Sequence, residues 1–248
     1  MTEPELEQIV ELDASPEQVW AAIATGPGIS AWFVPSEVEP RVGGAVSADF
    51  GGGATSAGRV TGWEPGRRFA HGSAEPPAEG PDYAFEFLVE GRAGGGTVLR
   101  FVQSGFTGDS WRDEYDSFER GWALFFGNLR TYLDEFAGLP VRNAVSMAFA
   151  PVSAARAWPV LHRALGLPGR PAVGERVALS GPVPISGVVD VATDEFLGVR
   201  AERSLHRFGA EGQDGCGLSA YHYFYGEPVD ADTLTKAWDA WLGGLFAE

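Results

Sequence analysis

The stretch Ser110–Gly138, SWRDEYDSFERGWALFFGNLRTYLDEFAG, decides the fold. Its apolar residues recur at steps of three and four, which places them on one face of an α-helix. That face comprises Trp111, Tyr115, Phe118, Trp122, Phe125, Phe126, Leu129, Tyr132, Leu133 and Phe136. Ser110 can cap the first turn, and Gly138 can end the last. A helix of about 42 Å, at 1.5 Å per residue, requires a broad apolar partner.

Short segments with a period of two precede this helix and can supply that partner. Strands are predicted at Leu6–Leu12, Val38–Val42, Ala45–Phe50, Gly58–Trp63, Arg67–His71, Tyr83–Glu90 and Thr97–Ser104. Turns of hairpin length separate the last six, which predicts an antiparallel meander. After the first strand, Ser15-Pro16-Glu17-Gln18 predicts a capped helix, and a short helical turn is expected at Ile29–Phe33. This order predicts an α+β fold whose curved sheet wraps around the long C-terminal helix.

Several short motifs occur in a fixed order over residues 5–138. They are Ile9–Trp20, Ala31–Phe33, Gly58–Val60 with Trp63–Pro65 and Arg67–Phe69, and Gly121-Trp122 with Leu129 and Leu133. In this order they resemble the SRPBCC (START-like, helix-grip) superfamily, and within it the branch named after the activator of the heat-shock chaperone ATPase. The resemblance implies a sheet that grips the C-terminal helix. It also implies a cavity between them that often takes an apolar ligand.

The second half of the chain repeats features of the first. The correspondences join Trp20 to Trp158, Gly58–Val60 to Gly187–Val189, Gly96–Gly105 to Gly217–Gly226, and Trp122 to Trp238. We therefore predict a helix-grip domain at 1–139 and a shortened second copy at 140–248, which closes with a helix at Ala231–Ala247. The alternative is an unrelated α+β extension.

Composition excludes several classes of function. The net charge of −16 argues against nucleic acid and against anionic membrane surfaces as partners. No apolar run is long enough to cross a membrane and no secretion signal is visible, so a cytoplasmic location is expected. The single cysteine, Cys216, and four separated histidines show no metal-ligand spacing. No metal and no cofactor are expected.

An aromatic set in the first half is the predicted ligand site. A cavity needs a mostly apolar wall with few polar groups, and the residues chosen for it are Trp32, Phe33, Trp63, Phe69, Phe87, Phe101, Trp122 and Phe126. Trp122 is the best single candidate because the long helix forms one wall. The alternative is that these rings simply fill the core.

The leading functional hypothesis is a small-molecule binding protein, without catalysis, for an apolar or amphipathic ligand. One alternative is a protein-interaction or co-chaperone-like module, and oligomeric state is left open. The other is a cyclase- or dehydratase-type enzyme that uses His71, His222 or an inward arginine. Arg59, Arg68 and Arg100 are the arginines on strands, and the favoured interpretation is that they point outward. In Tyr221–Tyr225, the tyrosines should share one strand face, with His222 and Phe224 on the other.

Overall fold

The protein is described by a computed structural model over residues 4–75, 81–108 and 111–247. It divides into two compact units, one comprising Met1–Asp49 and Thr55–Gly138, the other Phe50–Ala54 and Leu139–Glu248. Each contains one antiparallel sheet and a closing helix. This confirms the predicted α+β class. Over the described ranges, no helix combines the length and apolarity needed to cross a bilayer.

The first unit contains a seven-stranded sheet in the order β1-β7-β6-β5-β4-β3-β2. Its strands are β1 Leu6–Leu12, β2 Ser36–Val38, β3 Ala45–Asp49, β4 Thr55–Glu64, β5 Arg68–Ser73, β6 Ala84–Gly91 and β7 Thr97–Ser104. All neighbours pair antiparallel, so the predicted meander is confirmed. The prediction of Val38–Val42 as a strand was wrong after Val38, because Pro40 has no N–H to donate to a ladder.

Two small helices follow β1. Helix α1, Pro16–Ala24, begins at the predicted cap, where Ser15 and Gln18 form a reciprocal capping box. Helix α2, Gly26–Ser30, is capped by the Thr25 hydroxyl, which accepts from the Gly28 N–H at 3.0 Å. The predicted turn at Ile29–Phe33 therefore begins three residues too late. The N-cap is Thr25, and the helix start was missed because Gly26, Pro27 and Gly28 are typical of a turn.

The closing helix of the first unit is α3, Trp111–Thr131, which continues as a π-helical turn over Tyr132–Phe136. The predicted cap, Ser110, lies outside the described residues. Gly138 has φ of +78°, the left-handed conformation that ends a helix, as predicted. The buried residues include most of the predicted apolar face and add Leu124 and Asn128. Asn128 is tolerated there because its amide donates to the Trp32 carbonyl at 3.2 Å.

The second unit contains a six-stranded sheet in the order β8-β13-β12-β11-β10-β9. Its elements are β8 Val141–Ala150, α4 Ala154–Ala164, β9 Arg176–Leu179, β10 Ile185–Ala192, β11 Phe196–Arg200, β12 Ser204–Glu211, β13 Cys216–Tyr225 and α5 Ala231–Gly244. Helix α5 ends earlier than predicted. The topology is that of the first unit with one strand and one small helix fewer, as expected of a shortened copy.

The two sheets share a bulge that fixes their correspondence. The register shifts between Val60 and Gly62 in β4, and between Val189 and Val191 in β10. From each bulge, one row of paired residues crosses its sheet, and we call it the bulge row. In the first unit it is Val60–His71–Phe85–Gln103–Leu6, and in the second Val189–Val199–His206–His222–Ala144. Gln103 and His222 therefore occupy equivalent positions.

Candidate ligand-binding site

The inner face of the first sheet is aromatic. Beside the bulge row lies a row of four paired rings, Trp63–Phe69–Phe87–Phe101. Their ring centroids are 5.7 Å, 6.0 Å and 5.0 Å apart in that order. Alternate residues of a strand share a face, so both rows point toward α3.

Trp122 of α3 joins the rows. Its ring centroid lies 4.4 Å from that of Phe101 and 6.1 Å from that of Phe85. Phe33, after α2, stacks on Trp122 at 5.3 Å, and Phe126 lies 5.5 Å from it. Trp32 stacks on Phe126 at 5.8 Å. The structure thus brings all eight predicted site residues into one connected cluster.

The members of this cluster differ in exposure. Trp32, Phe69, Phe101 and Phe126 are buried. By contrast, Phe33, Trp63 and two bulge-row residues, His71 and Phe85, are only partly buried although they belong to the inner face. Solvent therefore reaches this face at the end where His71 lies.

His71 is an inner-face residue with a neutral ring. Its imidazole stacks 4.9 Å from Phe85 and 5.3 Å from Phe69. Burial among these rings lowers the pKa of His71 to about 4, because the charged form loses its hydration. Within the described residues, neither ring nitrogen has a hydrogen-bond partner. The imidazole is thus free at neutral pH to donate one hydrogen bond and accept another.

Gln103 is the second polar group of the inner face. It is fully buried, and its Oε1 accepts from the Trp122 indole at 2.7 Å. That bond fixes the orientation of the amide and leaves Nε2 buried without a hydrogen-bond partner in the described chain. An unmade buried hydrogen bond costs about 1–3 kcal/mol. Gln103 was not among the predicted site residues, although its place two positions after Phe101 put it on the inner face.

The strand arginines lie on the outer face, as favoured from sequence. Arg68 donates to Glu86 at 2.5 Å, and Arg100 makes two bonds to Glu7 at 2.7 Å and 3.1 Å. Arg59 donates to the Gly43 carbonyl. The inner face of the first sheet therefore gains no positive charge from them.

Tyr83, which immediately precedes β6, contacts the beginning of α3. Its hydroxyl donates to Glu114 at 2.7 Å, and its ring lies 4.9 Å from Phe118. Burial, and then the bond to the Glu114 carboxylate, raise the pKa of Tyr83 above its usual range. This contact holds one end of the helix against the sheet.

The second unit has a different interior. His206 and His222 are buried cross-strand neighbours, with 2.9 Å between their Nδ1 atoms. His222 packs 4.3 Å from Trp238 of α5, so the histidine face of β13 lies beneath the helix. The predicted alternation of Tyr221–Tyr225 is correct. Although His206 and His222 are separated in the sequence, the hairpin centred on Asp214 brings them together. The described residues contain no group of three or more metal-ligating side chains.

A strand, small helices, a meander and a closing helix packed on the inner face together define the helix-grip architecture. Residues 13–134 match the family model described as "Activator of Hsp90 ATPase homolog 1-like protein". The first unit is therefore a domain of this type within the SRPBCC superfamily, which confirms the resemblance. Among curated proteins, no sequence matches the chain.

Three solved structures illustrate the similarity. Protein MLL2253 from Mesorhizobium loti is 26% identical, with 52% of this chain and 97% of that chain covered and a TM-score of 0.46. DynU16, from the dynemicin biosynthetic locus, is 20% identical over 89% of this chain and 87% of its own, with a TM-score of 0.46. The di-domain ARO/CYC BexL, from the BE-7585A biosynthetic pathway, is 11% identical over 94% and 92%, with a TM-score of 0.47.

Proposed function

We propose that the first unit binds an uncharged apolar or amphipathic small molecule between its sheet and α3, without catalysis. The observation that carries the proposal is the bulge row, where His71 and Gln103 flank Phe85 on an otherwise apolar face. Nε2 of Gln103 is buried without a hydrogen-bond partner among the described residues, and His71, which is partly exposed, packs its imidazole against aromatic rings. The residues proposed to contact the ligand are the eight aromatic ones, together with these two.

The spacing of the two polar groups indicates the size of the ligand. They lie two strands apart, which is about 10 Å at a strand spacing of about 4.8 Å. A molecule of two fused or linked rings spans that distance. Because neither group is charged at neutral pH, a ligand with a carbonyl or hydroxyl fits better than a carboxylate or an amine.

Catalysis is less well supported than binding. His71 meets the requirement of a histidine on the inner face, which the enzyme alternative demanded. A general base also needs a group that orients it, such as a carboxylate. In the described chain, the ring contacts of His71 are with Phe69, Phe85 and Phe87, and no carboxylate is hydrogen-bonded to its imidazole. The proposal therefore assigns binding to the first unit and a structural role to the predicted second domain at 140–248. It also includes a cytoplasmic location.

A pair of matched probes tests the binding of an acceptor. 4-Acetylbiphenyl carries a ketone, and 4-ethylbiphenyl has nearly the same shape without it. Titrations followed by tryptophan fluorescence should show the ketone binding about 3- to 10-fold more tightly, the value of one net hydrogen bond. In Gln103→Leu this preference should disappear, whereas in Val102→Ala, on the opposite face of β7, it should persist.

Native mass spectrometry of the purified full chain supplies an independent readout, since a tightly held ligand would co-purify. The proposal is overturned if neither probe binds and no small molecule co-purifies. Equal affinity for both probes in the wild type would leave an apolar site but remove the role of Gln103.

A further inference from the structure

The bulge row of the second unit places two imidazoles in the core. Nδ1 of His206 lies 2.9 Å from Nδ1 of His222, and Nε2 of His206 lies 2.9 Å from the Ser204 hydroxyl. His206 is 3% exposed and His222 is 0% exposed, so water reaches neither ring. Nε2 of His222 is buried without a hydrogen-bond partner in the described residues.

Only one hydrogen fits between the two Nδ1 atoms. In one arrangement, Nδ1–H of His206 donates to Nδ1 of His222, and the Ser204 hydroxyl donates to Nε2 of His206. In the other, Nδ1–H of His222 donates to Nδ1 of His206, and the Ser204 hydroxyl accepts from Nε2–H of His206. A first added proton places an ionised ring in the core. A second places two N–H groups face to face at 2.9 Å, and the rings must then separate.

The surroundings do not compensate such a charge. Each neighbouring element carries charged or titratable groups. They are Arg142 on β8, Arg156, His162 and Arg163 on α4, Asp190 on β10, Arg200 on β11, Arg207 and Glu211 on β12, Cys216, Tyr221, Tyr223 and Tyr225 on β13, and Asp232, Lys236 and Asp239 on α5. Arg207 is paired with Asp190 through two bonds of 2.9 Å and 2.8 Å, and Asp239 accepts a hydrogen bond from Ser146 of β8. In the described chain, no carboxylate contacts either imidazole of the pair. The remaining neighbours are Val199 on β11, Ala144 on β8, Phe208 and Phe224 on the strands, and Trp238 on α5.

Burial, with a smaller effect of Arg207, lowers the pKa of His206 to about 3. Burial and then His206 lower the pKa of His222 well below its usual value. We call the packed second unit the closed form, and the form in which the two rings separate and water reaches them the open form. The open form therefore binds more protons than the closed form. The closed state is fully favoured above pH 6.5, the ordinary histidine value, and is progressively lost as the pH falls below it.

We propose that the second unit is an acid-sensitive switch, closed while the His206–His222 pair is neutral and opened when both imidazoles take up protons. With ordinary pKa values of 6.5 in the open form, two protons raise the opening constant about thirtyfold between pH 6.5 and 5.5, and the rise approaches a hundredfold per pH unit at lower pH. His162, whose pKa is also lowered by burial, can add up to a further tenfold. The first unit has only His71 in its bulge row, so its opening constant rises at most about tenfold per pH unit.

Hydrogen exchange on the full chain at pH 6.5, 6.0, 5.5 and 5.0, corrected for intrinsic exchange rates, measures both units together. Peptides from β13 and α5 should show the steep rise, and those from β6 and β7 the shallow one. The pH series stops at 5.0 because carboxylates begin to take up protons below that pH. Equal slopes in the two units would overturn the proposal.

The first unit supplies the design of the matched variant. His206→Phe with His222→Gln gives the second unit the residues found at the equivalent positions 85 and 103. The new glutamine can also accept from the Trp238 indole, which is unpartnered at present. The rise of the opening constant between pH 6.5 and 5.5 should fall by about thirtyfold in this double variant, whereas the control His162→Gln should lower it by at most tenfold.

An unchanged slope in the double variant would refute the switch. If that variant does not fold, nitrogen-15 spectra of the wild-type histidines decide the question. Both rings should remain neutral at pH 6 in the closed protein. An imidazolium signal from either ring in the closed protein at that pH would also refute it.

Discussion

Trp122 and Trp238 occupy corresponding places on α3 and α5, but their indole N–H groups differ. The Trp122 group donates to Gln103 at 2.7 Å, whereas the Trp238 group is buried without a partner in the described chain. Trp122→Phe strands the Gln103 oxygen and should cost about 1–3 kcal/mol beyond lost packing. Trp238→Phe removes an unpaired donor and should regain a similar amount. We predict that Trp122→Phe is the costlier by about 4 kcal/mol, within a range of about 2 to 6.

Hydrogen exchange at increasing urea concentration gives the opening free energy of each unit separately, from peptides of β7 and β13. This matters because a chain with two units need not unfold in one step. The slope of the opening free energy against urea concentration should be the same in wild type and variants if only stability changes. As a further control, adding Gln103→Leu to Trp122→Phe should recover most of the loss, since no buried polar group is then left unpaired.

Equal costs in the two units, within about 1 kcal/mol, would contradict this reasoning. They would mean that the indole–amide bond contributes nothing beyond packing. The oriented Gln103 amide, on which the proposed site depends, would then lose its physical basis. The outcome of the probe titrations would be a separate matter, because the aromatic cluster does not require that bond.

Three further changes test other parts of the structure. Gly198→Ala should cost about 3–5 kcal/mol, because the new Cβ would lie 2.7 Å from the guanidinium of a buried ion pair; Gly217→Ala, with open space, should change unfolding by less than about 1 kcal/mol. Ser15→Ala should cost about 1 kcal/mol by thermal denaturation, whereas Ser153→Ala, whose side chain caps nothing, should be neutral. His71 should cost the first unit about 2 kcal/mol between pH 7 and 5, since its pKa falls from 6.5 to about 4 on folding, and His71→Phe should abolish that loss in urea titrations.

Much of the fold was predictable because local signals agreed with the global pattern. The capping box at Ser15, the period-two segments and the stripe of α3 each specify one element. The errors fall where two signals compete. Val38–Val42 alternates like a strand, yet Pro40 prevents pairing, and Thr25 starts α2 before the apolar residues of the predicted turn.

The sequence predicted which aromatic residues form the cluster, but it did not predict the polar groups of the candidate site. Aromatic residues on inward strand positions must meet the closing helix, so Phe101 and Trp122 were found together. Which polar group remains unpaired depends on side-chain orientation, and no periodicity encodes the bond that turns the Gln103 amide. The histidine pair depends on hairpin register. One residue of slip in β13 would move His222 to the opposite face.

The shared bulge gives the two units a common frame in which their differences become interpretable. At equivalent positions, the first unit has Phe85 and Gln103 where the second has His206 and His222. The amide does not titrate, and Phe85 and His71 of the same row remain partly exposed, which suits the proposed site for a neutral molecule. The imidazoles titrate and are sealed from water, which suits a core that depends on pH. Both proposals therefore use the residues that each unit carries at these two positions of its bulge row.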